Sequence, residues 1–197
     1  ANGLPIVNFQ LEHDGNEKSI IISDYRKAAY EATEYLITLG HQRICFVTQD
    51  FTNVKSRMDR YLGYADALSH YGIPVDEQLV QYWHRNSGFQ SSPKNLLNEI
   101  NPPTAFFTQH LPITTELLAM LNAANISIPD DVSLLGFDDI PMAAFFKVPI
   151  TVVTQNPYEI GREATKLLLN NINNKERGRQ KVMLPCSLTE RLSCKKL

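Results

Sequence analysis

The sequence predicts an α/β protein whose mostly parallel sheet is covered by helices on both faces. Two observations carry this. Short apolar runs alternate with amphipathic stretches along most of the chain, and the stretches open at capping residues or proline and close at glycine or proline. Pro5–Phe9 and Ser19–Ile22 read as strands, and Ser23-Asp24 caps a helix with Tyr25, Ala28, Ala32, Leu36 and Leu39 at helical spacing, stopped by Gly40. Arg43–Thr48 is a strand rich in β-branched and aromatic residues. Ser56 opens a helix with Met58, Leu62, Ala65 and Leu68 on one face, ending at Gly72-Ile73-Pro74. The unit then repeats. Leu79–Trp83 precedes a helix from Ser92-Pro93 to Ile100. Thr104–Thr108 precedes one starting at Pro112 with Ile113, Leu117, Leu121 and Ala124 inward. Val132–Leu135 is a strand closed by Gly136, Thr151–Thr154 is extended, Tyr158–Ile172 is helical and Val182–Cys186 is the last strand. Asn170–Lys181, with Lys175, Arg177, Arg179 and Lys181, reads as a solvated loop; without aromatic residues it lacks the stacking platform of a nucleic-acid patch.

Composition narrows the function classes. At 197 residues with 43% hydrophobic and 20% charged, the chain can bury a core without disulfides or metal. Lys+Arg 19 against Asp+Glu 21 leaves a net charge of −2, so phosphate-driven DNA binding by this chain is not expected. No apolar run reaches the ~20 residues of a membrane span, and Ala1–Pro5 lacks signal-peptide character. Cys45, Cys186 and Cys194 form no C-x-x-C pair, which points to a reducing, cytoplasmic setting and no metal site.

Right-handed crossovers place every strand-to-helix loop at one edge of a parallel sheet, where ligands of open α/β sheets bind. The residues at those strand ends are Ser56, Arg57 and Arg60; Trp83 and His84; Gln109 and His110; and Asp138 and Asp139. An indole with Arg and Asp forks suits a polyhydroxylated ligand, the ring stacking and the charged groups holding hydroxyls. Each member also has a structural alternative. Trp83 could be core, Arg60 could pair with Asp59 or Asp66 on the surface, His110 could be a structural histidine, and Asp138-Asp139 could be turn residues. Catalytic signatures are missing: there is no G-x-S-x-G, no H-E-x-x-H, no Gly-rich phosphate loop, and no metal-ligand spacing among the five histidines. Neither an enzyme nor a cofactor is expected.

Several motifs occur in order along the chain: Leu39-Gly40-His41, Arg60-x-x-Gly63-Tyr64, Ser87-Gly88-Phe89 and Pro103-Thr104-Ala105. The longest is the block Ile128-Pro129-Asp130-Asp131-Val132-Ser133-Leu134-Leu135-Gly136-Phe137-Asp138-Asp139, followed by Pro149-x-Thr151, Gln155, Ile160-Gly161 and Leu188-x-x-Arg191. By these motifs, and most strongly by the long block, the chain from about Gly3 to about Ser193 resembles the effector-binding region of the lactose-repressor/galactose-repressor (LacI/GalR) family of bacterial transcription regulators. This resemblance implies a periplasmic-binding-protein-like (type I) α/β fold of parallel-sheet lobes with helices on both faces. Residues 1–22 would be a remnant of an N-terminal lobe, 23–155 the C-terminal effector-binding lobe, 156–184 a crossing back to the first lobe, and 185–197 a return to the second. By resemblance Trp83 is the stacking aromatic, Asp138 the ligand carboxylate, and Arg60 with Ser56 and Arg57 the arginine-bearing segment. His110 is a polar contact, and Gln10 stands where some members place a carboxylate; Leu111 stands where the family often has Asp. The family implies a small-molecule effector, here a carbohydrate, a homodimer, and operator DNA bound only through an N-terminal helix-turn-helix that does not precede Gly3. A periplasmic-type sugar-binding protein of a transporter, which shares the fold, is the alternative.

Overall fold

A computed structural model describes residues 5–10, 18–173 and 179–197, the side chain of Ala144 aside. Its elements run β1 (Val7–Phe9), β2 (Ser19–Ser23), α1 (Tyr25–Thr38), β3 (Ile44–Thr48), α2 (Lys55–His70), β4 (Val80–His84), β5 (Gly88–Phe89), β6 (Ala105–Thr108), α3 (Leu111–Ala123), β7 (Ser133–Phe137), β8 (Thr151–Thr154), α4 (Pro157–Asn173), β9 (Lys181–Leu184) and β10 (Ser187–Thr189). Two sheets result. Seven strands lie in the order β10-β8-β7-β6-β3-β4-β5, and three in the order β1-β2-β9. Within the larger sheet the pairs among β4, β3, β6, β7 and β8 are parallel, and the flanking strands β5 and β10 are antiparallel.

Strand alternation builds the core. On β3, Ile44 and Phe46 pack toward α1 and α2 with Tyr64, Leu68, Phe107 and Phe137, while Cys45 and Val47 pack toward α3 with Phe106, Ile113, Leu117 and Leu134. Two glycines allow the helices to approach. A Cβ on Gly63 would meet the Arg26 carbonyl oxygen of α1 at 2.1 Å, and one on Gly136 would meet Thr114 Oγ1 of α3 at 3.1 Å. Gly136 therefore does not close its strand, as its residue type suggested; β7 runs on to Phe137.

Three other expectations are corrected. The helix expected over Ser92–Ile100 is a 3-10 helix, Pro93–Asn98, because the Asn101-Pro102-Pro103 run that follows is hostile to α conformation. The loop expected over 170–181 is shortened from both ends, since α4 reaches Asn173 and β9 starts at Lys181; residues 174–178, with Lys175 and Arg177, lie outside the described residues, as do 1–4 and 11–17. The α2 helix starts at Lys55 with Val54 as its cap residue, so Ser56 lies in the first turn and is not the cap.

Candidate functional site

The carboxyl ends of β2, β7 and β8 meet in one hydrogen-bonded cluster. Asp138 follows β7 with φ 70°, anchored by its N–H to the Val153 carbonyl at 2.8 Å. Its Oδ1 accepts from Gln155 Nε2 at 2.6 Å, and Gln155 follows β8. Gln155 Oε1 in turn accepts from Gln10 Nε2 at 2.7 Å. The Tyr25 hydroxyl, in the first turn of α1, reaches Gln10 Oε1 at 2.8 Å and Gln155 Oε1 at 3.1 Å. Gln10 also exchanges bonds with Ser23, its Oε1 accepting from the Ser23 N–H at 3.0 Å and its Nε2 donating to the Ser23 hydroxyl at 2.8 Å. Gln10 thus serves as a clamp between the two sheets. Gln10, Asp138 and Gln155 line a cavity of about 1080 Å³ that continues along Ile160, Ala164 and Thr165 of α4.

Arg60 extends the cluster beneath Tyr25. It is buried, with its guanidinium carbon 4.1 Å from the Tyr25 ring centroid and 4.3 Å from that of Phe137. Burial pushes the guanidinium below its ordinary pKa, opposed by the nearby Tyr25 and Asp138. The surface pairing considered for it goes elsewhere, since Asp59 pairs with Lys55 and Asp66 with Arg26. His110 precedes α3, and both of its buried ring nitrogens lack a partner. Burial holds its pKa below the usual 6.5, helped by Arg60 and opposed by Asp138, so the ring is neutral near pH 7. Beside it Gln109 is 1% exposed; its Oε1 accepts from the Thr48 hydroxyl at 2.7 Å while its Nε2 has no partner. Arg57 donates to the Asp50 carbonyl at 2.8 Å and adds positive charge felt by both Arg60 and His110.

Trp83 departs from its expected role. Its ring meets His110 edge-on at 5.5 Å, so the two share one wall, but it is 5% exposed and its indole N–H is taken by Glu116 Oε2 at 2.7 Å. It pairs with Phe89 across β4 and β5, and at this burial it offers no open stacking face of the kind that the sequence led one to expect. Ser56 is half-buried in the first turn of α2 and joins none of these contacts. The adjacent aspartates diverge: Asp139 grips Arg191 at 2.7 and 2.8 Å through its two oxygens and caps the Ile140 N–H. The structure therefore joins Gln10, Asp138, Arg60 and His110 in one neighbourhood, with Arg57 at its margin and Trp83 behind it.

Tyr25 and Gln155 are residues of this cluster that the strand-end reading left out. Tyr25 and Gln155 each stand one or two residues past a strand, so the strand-end rule applied to β2 and β8 finds them. Glu116 carries no such signal. Among the described residues no group of three His, Cys, Asp or Glu is placed to hold a metal ion, and no helix is long and apolar enough to cross a membrane.

Residues 33–194 match the family model of the periplasmic binding protein-like domain. The chain belongs to this family. Within it, the HTH-type transcriptional repressor CytR of Escherichia coli (strain K12) is 33% identical over 178 residues, 88% of this chain and 51% of CytR. The HTH-type transcriptional regulator DegA of Bacillus subtilis (strain 168) is 29% identical over 192 residues, 96% of this chain and 56% of DegA. A solved LacI family transcriptional regulator from Enterococcus faecium with bound ribose superposes with TM-score 0.81 at 27% identity, over 98% of this chain and 72% of that one. The periplasmic binding protein-like fold and the likeness to LacI-family regulators read from the sequence both stand. The chain spans about half the length of the two named relatives.

Proposed function

We propose that this chain is the small-molecule-sensing module of a bacterial LacI/GalR-type transcriptional regulator, and that its effector is a carbohydrate. The observation that carries the reading is the cluster at the strand ends, where Arg60, His110 and Gln109 keep buried polar atoms without protein partners beside Asp138. Such groups are costly when buried and are retained where a ligand completes them. The ribose-bound neighbour and the regulators among the relatives support a sensor over a transporter component.

In this reading the small sheet, with α4, is part of a first lobe and the seven-stranded sheet is the second. The ligand bridges them, and Gln10, Tyr25 and Gln155 lie at the hinge between the two. A ligand shifts the closure equilibrium only by its differential affinity for the open and closed forms, so contacts made from both lobes are what transmit the signal. Trp83 acts as a wall that holds His110 edge-on. The module forms a homodimer in the cytoplasm, carries no catalysis, and reaches operator DNA through a helix-turn-helix segment elsewhere in a longer protein.

The test is a thermal-shift screen of sugars, sugar phosphates and nucleosides on the full-length protein. A cognate carbohydrate raises the melting temperature, and Asp138→Ala removes that rise. A rise that survives Asp138→Ala unchanged would refute the site.

A further inference from the structure

One helix holds Trp83 from two sides. His110 stands at the N-cap of α3, and Glu116 follows less than two turns along. The indole lies against both: its ring meets the imidazole at 5.5 Å with the planes 79° apart, and its N–H donates to Glu116 Oε2 at 2.7 Å. The other carboxylate oxygen faces β5, where a Cβ on Gly88 would come within 2.6 Å of Glu116 Oε1, and Gly88 has φ +73°. One carboxylate thus keys α3 to both strands of the β4–β5 hairpin. Glycine is required at position 88 by its backbone and by that oxygen alike.

Glu116 is the only charged residue of α3, so it belongs to no solvated stripe of that helix and has no i,i+4 ion pair within it. The indole is 5% exposed and shares a core group with Val47, Phe106, Ile113 and Leu117. Apolar contacts have no direction and would tolerate the ring turned over about its second torsion. The hydrogen bond to Glu116 is directional and admits one of the two orientations. His110 makes no ring hydrogen bond of its own, since both ring nitrogens are buried and unpartnered. The indole is therefore the surface against which the imidazole is set.

We propose that Glu116 is a positioning residue of the ligand site: by fixing the Trp83 indole it fixes the His110 ring, and with it the direction in which the open ring nitrogens meet a sugar hydroxyl. This rests on the carbohydrate-sensing reading and adds to it a residue that acts without touching the ligand.

The experiment compares Glu116→Leu with Glu116→Gln in the full-length protein. Both remove the charge and only Gln keeps an acceptor for the indole, so the difference between them reports the hydrogen bond. Arg60, Arg57 and Asp138, the charged groups that act on His110, are the same in both. Nuclear magnetic resonance reads the Trp83 indole N–H, assigned by its loss in Trp83→Phe, and the titration of the His110 ring, assigned by its loss in His110→Asn. Calorimetry reads the affinity for D-ribose and for any other sugar that raises the melting temperature in the thermal-shift screen. Glu116→Leu is expected to shift the indole resonance, to move the His110 titration up toward the ordinary histidine value, and to weaken the sugar about tenfold. Glu116→Gln is expected to stay within about threefold of wild type, with the His110 titration little changed. Wild-type His110 titration or wild-type sugar affinity in Glu116→Leu, or a Gln variant that fails as Leu does, overturns the proposal and leaves the sensing reading intact. A wild-type protein that binds no sugar overturns the sensing reading, and this inference with it. If Glu116→Leu fails to fold by circular dichroism, Trp83→Phe decides. It keeps an aromatic edge but cannot donate to Glu116, so it is expected to weaken the sugar about tenfold, and an unchanged affinity overturns the proposal.

Discussion

The two sheets are made by the same kind of chain and finished to different degrees. The seven-stranded sheet carries helices on both faces and seals its large residues, with Phe46, Phe106, Phe107 and Phe137 all at 0% exposure. The three-stranded sheet has a core of Ile21, Ile160 and Leu167, while Phe9, Leu169, Ile172 and Met183 are at least half exposed. Burial of apolar area is the main stabilising term, so folding free energy is concentrated in the larger sheet. The candidate ligand groups share this division. Asp138, His110 and Arg60 project from the well-packed part, and Gln10 ties them to the lightly packed part. Precision comes from one region and freedom to adjust from the other.

The sharpest way to break this comparison is a matched pair of core substitutions. Phe46→Ala is expected to cost about 3–5 kcal/mol, because Phe46 sits against Tyr64, Tyr61 and Phe107 with no room to relax. Phe9→Ser on the small sheet is expected within about 0.5 kcal/mol of wild type. Urea unfolding of both variants checks this, and comparable losses would end the distinction. Next in size is the link between the regions: Gln155→Ala strips acceptors from Gln10 and Tyr25 and a donor from Asp138. It is expected to cost about 1–3 kcal/mol and to raise amide exchange in β1 and β2 more than in β3. Smaller again is the Asp139–Arg191 pair, whose carboxylate is 47% exposed. Asp139→Asn is expected to change stability by no more than about 1 kcal/mol, read by thermal melting.

Lowering the pH separates two histidines of the larger sheet. His41 is fully buried between Thr104 and the Lys195 carbonyl, and burial holds its pKa, like that of His110, below 6.5. Both folded values lie below the unfolded value, so the unfolded chain binds more protons as pH falls under about 6.5. The associated stability is complete above that pH and is lost as pH descends through the folded values. His110→Asn is expected to flatten this slope in part while His41 retains the rest. An unchanged melting profile between pH 7 and 5 would contradict it.

Much of the fold was legible in the residues. The parallel strands β3, β6 and β8 are short apolar runs whose ends differ from the reading by no more than a residue, because burial on both faces leaves a strong, uninterrupted signal. The antiparallel strands β5 and β10 were not legible, since two or three residues paired by a neighbour carry no period of their own. At the site, the strand-end rule reached Asp138, His110 and Arg60, and it would have reached Gln155 and Tyr25 had it been applied to every strand. It could not foresee the burial of Trp83, whose indole N–H is held by Glu116, thirty-three residues away on α3, because no local pattern announces such a contact.

If a carbohydrate completes the open polar atoms beside Asp138, the crystal structure of the full-length protein with the sugar that gives the largest thermal shift will show it. Ligand oxygen atoms are expected within hydrogen-bond distance of Asp138 and Arg60, between the two sheets. A ligand seated elsewhere, with Asp138 still bonded only to Gln155, would contradict this reading.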